Sequence, residues 1–120
     1  MAESHDFGRW GEDVAARHLA AHGWTILQRN WRLGHKEIDL VAGRRGVVAF
    51  VEVKSRSGGG FGHPLEAITH AKRREIERVA RAWVARHGHA DAVYRFDAIA
   101  VMRDGAGPPR VEHLEDAWRL

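Results

Sequence analysis

Residues 36–55 read K-E-I-D-L-V-A-G-R-R-G-V-V-A-F-V-E-V-K-S, two apolar runs joined by Gly43-Arg44-Arg45-Gly46. Valine and isoleucine dominate the runs and glycines bracket the loop, so the stretch predicts a β-hairpin. Asp39, Glu52 and Lys54 interrupt the apolar pattern. Side chains alternate along a strand, which puts all three on one face. Closing the loop symmetrically about Arg44 and Arg45 sets Glu52 opposite Glu37, with Asp39 as a diagonal neighbour roughly 7–8 Å away. Two carboxylates forced together in an apolar sheet repel unless a proton or a cation intervenes. A divalent, oxygen-liking metal resolves the conflict, with Lys54 beside it. A structural ion-pair cluster is the other reading of the same residues.

Upstream of the hairpin, Trp10, Val14, Ala15, Ala16 and Leu19 recur at helical spacing across residues 6–22. Asp6 is the expected N-cap and Gly23 the C-terminal stop, and residues 1–5 are expected to be loose. Glu12 falls on or beside the inward stripe, and an unpaired buried carboxylate is costly. It either reaches Asp39 and Glu52 or pairs with an arginine at the helix edge, whereas Asp13 faces solvent. Residues 24–32 read as a strand, and Leu33-Gly34-His35 as a turn into the hairpin.

Downstream, the second hairpin strand continues to about Arg56, which shares the face of Glu52 and Lys54. S-G-G-G-F-G-H-P (57–64) is then read as a mobile lip around a substrate groove; it lacks the G-K-[S/T] of a phosphate loop. A helix is predicted over residues 69–87 with Ile76, Val79, Ala80, Trp83 and Val84 inward. Lys72 leans toward the sheet, and Arg74, Arg78 and Arg81 face outward. A-V-Y-R-F-D-A-I-A-V-M (92–102) is a strand, with Asp97 expected to pair with Lys54 or Lys72. G-A-G-P-P then turns into a short last strand, R-V-E-H-L. The hairpin strands are apolar on both faces, so layers should cover both sides of the sheet.

The 120 residues suit one domain, which buries roughly two-thirds of its unfolded surface. There is no cysteine, so thiol catalysis, disulfides and thiolate metal sites are excluded. Neither a signal-peptide pattern nor an apolar run near ~20 residues is present, which places the expectation in the cytoplasm. A net charge of +3 is mild, but offsetting the acids with metal leaves the remaining surface more basic. His18 and His22 sit four apart without H-E-x-x-H, and such pairs arise easily among nine histidines.

The spacing of E-I-D-L-V and F-V-E-V-K-S-R resembles the PD-(D/E)XK nuclease superfamily. Over nearly the full length the chain is similar to one bacterial branch, the YraN-type family of predicted endonucleases, itself similar to Holliday junction resolvases. That resemblance runs through G-R-W-G-E-D-V-A, N-W-R, F-G-H-P, R-F-D-A-I-A-V and E-H-L-E-D-A-W. It departs in having Ile38 before Asp39 where the motif has proline, and in lacking the Q-x-x-x-Y element of exonuclease relatives. The resemblance implies a restriction-endonuclease-like α/β core, a central mixed five-stranded sheet flanked by helices in the order α-β-β-β-α-β-β, spanning 1–120 as one domain. It also implies Mg²⁺-dependent hydrolysis of DNA, with Mn²⁺ able to substitute, in recombination or repair. Asp39, Glu52, the Val53 carbonyl and Glu12 match the metal-binding positions, Lys54 the motif lysine, and Arg56, Lys72 and Arg73 are expected to meet duplex or branched DNA. A homodimer is a candidate assembly. The alternative is a nucleic-acid-binding or scaffold module that keeps the fold with little or no cleavage.

Overall fold

The chain reverses at Arg45 and Gly46, whose φ angles of 49° and 79° are both left-handed. That is the backbone of a two-residue hairpin turn matched to strand twist, and glycine supplies one of the two positions without strain. Gly43 and Arg44 therefore belong to the incoming strand rather than to the loop. In the computed structural model, which describes residues 2–58, 66 and 68–119, the hairpin strands are β2 (Lys36–Arg44) and β3 (Val47–Ser57). Moving the turn by one position shifts the expected register by two residues. Leu40 faces Val51, and one further step along the strands sets Asp39 against Glu52 rather than on its diagonal. A shift of two preserves faces, so the expected grouping survives and the two acids come closer.

Around the hairpin lie α1 (Ala2–Ala21), β1 (Thr25–Leu33), α2 (His70–His87), β4 (Val93–Arg103) and β5 (Arg110–Trp118). The order α-β-β-β-α-β-β is the expected one. The sheet runs β1-β2-β3-β4-β5, antiparallel except for the parallel β3–β4 pair that α2 bridges. A parallel pair needs such a crossover. Helix α1 begins at Ala2, so residues 2–5, expected to be loose, continue the helix and Asp6 lies inside it instead of capping it. Ala2 and Glu3 are strong helix formers, which accounts for the earlier start. Helix α2 keeps its expected span, with the Thr69 hydroxyl accepting from the Lys72 N–H at 3.2 Å. Strand β5 runs four residues past the expected Leu114, because Trp118 stacks on the buried Phe96 at 5.0 Å. Residues 59–65, most of the glycine-rich lip, lie outside the described residues.

Both faces of the sheet are covered. Val14, Ala15 and Leu19 of α1 bury Leu40, Val51, Ile99 and Val101 on one side. Ile76, Val79 and Trp83 of α2 bury Val41, Phe50 and Phe96 on the other. Trp83 also donates to Gln28, tying α2 to β1. No helix among the described residues is long and apolar enough to cross a membrane.

Candidate functional site

Pairing between β2 and β3 stops at Leu40–Val51, yet β2 stays paired with β1 as far as Lys36 and β3 with β4 as far as Ser57. The sheet therefore forks, and the first residues inside the fork are Asp39 and Glu52. Helix α1 approaches the fork with Glu12 and α2 with Lys72. Together with Val53, Lys54, Ser55, Arg56, Phe7 and Gly8 they line a cleft of about 360 Å³.

Within it, the Val53 N–H donates to Asp39 Oδ2 at 2.8 Å, which orients the carboxylate across the fork. Glu52 is only 4% exposed. Lys72 Nζ lies 3.7 Å from its Oε2, while its buried Oε1 has no hydrogen-bond partner among the described residues. Burial and then the neighbouring Glu52 push the Asp39 carboxyl up to about 8, against the Val53 hydrogen bond. Burial likewise raises Glu52, opposed first by its hydrogen bond with Asp39 and then by Lys72 and Lys54. Two buried acids held side by side at such cost call for a shared proton or cation. The donors are hard carboxylate oxygens, one of them unpartnered, a set that fits Mg²⁺ or Mn²⁺.

Glu12 satisfies both readings made from the sequence. It lines the cleft, and it also lies 4.0 Å from Arg29 at the helix edge. Burial raises its carboxyl, with Asp39 and Glu37 adding to the effect and the Asn30 hydrogen bond opposing it. Asp13 instead takes the close Arg29 contact, at 2.7 Å. Lys54 and Arg56 reach the cleft as expected. Arg73 does not line it; its guanidinium lies 5.2 Å from the Trp118 ring, where it covers the last strand.

Asp97 departs most from expectation. It pairs with neither Lys54 nor Lys72, because it sits across from Val51, one position out of phase with Glu52 along the sheet. Arg95 donates to both its oxygens at 3.0 and 3.2 Å, His113 Nε2 is 2.7 Å away, and the Asp116 N–H donates at 3.0 Å. Asp97, His113 and Glu115 group closely enough to suggest a metal triad. The Arg95 guanidinium, however, bridges Asp97 and Glu115, so a positive charge already occupies their common space. This cluster is a structural knot between β4 and β5. His22 Nδ1 is likewise engaged, 2.7 Å from the His18 carbonyl oxygen.

The sequence reading passed over Asn30 and Glu37 as members of the site. Asn30 adopts φ 51° in β1 and donates to Glu12 Oε1 at 3.1 Å, which sets that carboxylate toward the fork. An asparagine inside a strand pattern is itself a sign of left-handed backbone. Glu37 adds negative potential to Glu12, Asp39 and Glu52 while pairing with Arg32 at 3.3 Å.

A family model described as "Uncharacterised protein family UPF0102" matches residues 11–101. The chain is 50% identical over 118 residues to a UPF0102 protein of Frankia casuarinae, covering 98% of this chain and 100% of that one. A UPF0102 protein of Frankia alni is also 50% identical, with 98% of each chain covered. One from Clavibacter michiganensis is 42% identical over 117 residues, 98% of this chain and 99% of its own.

Proposed function

The chain belongs to the uncharacterised protein family UPF0102, and from the forked cleft we propose that it is a metal-dependent endonuclease. Its substrate is DNA, with branched or junction DNA of recombination and repair in the cytoplasm as the first class to test. The observation that carries this reading is the buried Glu52 Oε1, without a hydrogen-bond partner among the described residues, beside a second raised carboxyl and flanked by lysines. The resemblance of these residues to the PD-(D/E)XK pattern points the same way.

Asp39 and Glu52, with Glu12 and the Val53 carbonyl as further donors, would hold a divalent ion such as Mg²⁺ or Mn²⁺, which would supply charge neutralisation of a phosphodiester and acidification of the attacking water. Lys54 faces the same cleft and stabilises negative charge that grows on the phosphate as the attacking oxygen adds. Lys72 brings a second ammonium from the opposite layer, and Arg56 extends the positive wall along β3, so a strand is held by its phosphates. Asn30 keeps the Glu12 carboxylate turned to the fork, and the Val53 N–H does the same for Asp39.

Cleavage of linear, flapped and four-way DNA with Mg²⁺ or Mn²⁺, beside a Glu52→Ala control, tests the reading. Lys54→Ala should abolish cleavage yet keep the metal response and most DNA binding, because its contribution is made in the transition state. Glu52→Ala should lose cleavage and metal response together. DNA binding without cleavage under either metal would replace the enzyme with a binding module of the same fold. Equal cutting by Lys54→Ala would refute the assignment of the site.

A further inference from the structure

Resting on the nuclease reading, the geometry points to a stacking position for one unpaired nucleobase against Phe7 and Arg103, beside the acidic cleft. The substrate class this selects is a nucleic acid with a single-stranded segment at the reacting phosphate. A fully paired duplex is the outcome it excludes.

Phe7 lines two clefts at once. One, of about 360 Å³, contains Asp39, Glu52, Lys54 and Lys72; the other, of about 370 Å³, is bounded by Phe7, Ser55, Arg56 and Ser57. Phe7, Ser55 and Arg56 belong to both, so the two form one groove along β3. The groove carries acids and lysines at one end, a guanidinium in its middle and an aromatic wall beside it. That is the alternation a single strand presents, phosphate and then flat base.

The aromatic wall is supported from behind. Phe7 stacks on Trp10 with centroids 5.4 Å apart and planes 11° apart. The exposed Arg103 lies 4.5 Å from the Phe7 centroid and 5.5 Å from that of Trp10. An aromatic ring overlaid by guanidinium is a π-rich, cationic surface, the type on which unpaired bases stack. Its place is fixed by backbone contacts. The Ser55 hydroxyl donates to the Phe7 carbonyl at 3.3 Å, and a Cβ at Gly11 would overlap Ser55 Oγ, so α1 lies against β3 at this point. Packing of the helix end explains Trp10, which joins the α1-side core. It leaves unexplained why Phe7 borders the groove rather than the interior, with Arg103 held over its ring. A base inside a duplex has both faces covered by its neighbours and cannot use this surface.

The test is equilibrium binding of fluorescein-labelled oligo(dT) and of a hairpin duplex of equal length, at low salt and without divalent ion. Phe7→Leu keeps the apolar volume but removes the π face, and Phe7→Tyr restores it; melting curves confirm that both fold. Stacking of one base is worth about tenfold in affinity. Phe7→Leu and Arg103→Gln should therefore each lose about tenfold on oligo(dT) and little on the duplex, with Phe7→Tyr close to wild type. The loss should persist as salt rises, since phosphate contacts alone carry the salt dependence. Equal losses on both DNAs, or none on oligo(dT), would overturn the stacking position and leave the nuclease reading to the Glu52→Ala cleavage assay. Absence of binding to either DNA by the wild type would overturn both.

Discussion

Glu52 on β3 and Asp97 on the adjacent β4 are both carboxylates buried in the centre of the sheet, 4% and 0% exposed. Their surroundings differ. Asp97 accepts from Arg95 and the Asp116 N–H and meets His113, so its charge is answered inside the fold. Glu52 has one lysine at 3.7 Å, a second acid beside it and an oxygen with no hydrogen bond among the described residues. Burial of a charged group is costly unless paired and hydrogen-bonded, so a fold retains an unsatisfied one only when something else completes it. The contrast separates an acid that holds strands together from one whose charge the fold leaves partly unanswered, the feature on which the proposed metal site rests. It also shows why three clustered ligand atoms that already hold a cation are weaker grounds for a metal than one unsatisfied oxygen beside a second buried acid.

The largest expected effect lies on the structural side. Asp97→Ala leaves Arg95 and His113 without their shared anion, and breaking a buried pair costs about 3–5 kcal/mol. Urea denaturation should show that loss, whereas Glu52→Gln should match or exceed the stability of the wild type when divalent ions are absent. An Asp97→Ala protein as stable as wild type would break the comparison at its firmer end.

Next in size is the metal response. An ion that binds only the folded cleft stabilises it by about 2.7 kcal/mol at a hundredfold excess over Kd. Mg²⁺ or Mn²⁺ should raise the melting temperature of the wild type. Asp39→Asn and Glu52→Gln should lose the rise, while Asp97→Asn should keep it from a lower starting point. A wild-type melting temperature indifferent to both ions would remove the distinction between the two acids.

How much of this could be read beforehand follows from range. The α2 stripe and the approach of Lys72 depend on spacing within one helix, and both hold. The grouping of Asp39, Glu52 and Lys54 rests on strand alternation, which tolerates the two-residue slip that the turn introduced. That slip arose because Arg45 takes a left-handed φ that arginine seldom adopts, so the loop looked longer than it is. The partner of Asp97 was misread because the lysines lie in the fork, while Asp97 is one step out of phase and reaches β5. The two basic neighbours Lys72 and Arg73 illustrate the same limit: adjacent on α2, they serve different surfaces. Asn30 and Phe7 matter only through contacts with residues 18 and 48 positions away, which no local pattern carries.

A third effect comes from pH. The folded Asp39 carboxyl is raised to about 8 from a reference of 3.8. The folded protein thus holds a proton that the unfolded chain releases. The stability this contributes is fully present below 3.8 and is lost as pH rises through about 8. Without divalent ion, the wild type should weaken across that window, and Asp39→Asn should flatten the decline. Added Mg²⁺ should stabilise more at the alkaline end, because ion and proton compete for the same oxygens. A decline unchanged in Asp39→Asn would move its cause away from the fork.

The smallest predicted change sharpens the comparison most finely, since it separates neighbours on one helix turn. Each phosphate neutralised by a side chain releases counterions, so the slope of log affinity against log salt counts contacts. Arg56 and Lys72 line the cleft, and Arg56→Ala and Lys72→Ala should each reduce that slope by about one ion. Arg73 lies over Trp118 instead, so Arg73→Ala should leave the slope unchanged and lower the melting temperature through lost packing and cation–π contact. Salt titrations of the three variants against one DNA decide the matter. A reduced slope in Arg73→Ala with none in Lys72→Ala would put the nucleic acid on the β5 side of α2, and the forked cleft would no longer be where the strand is held.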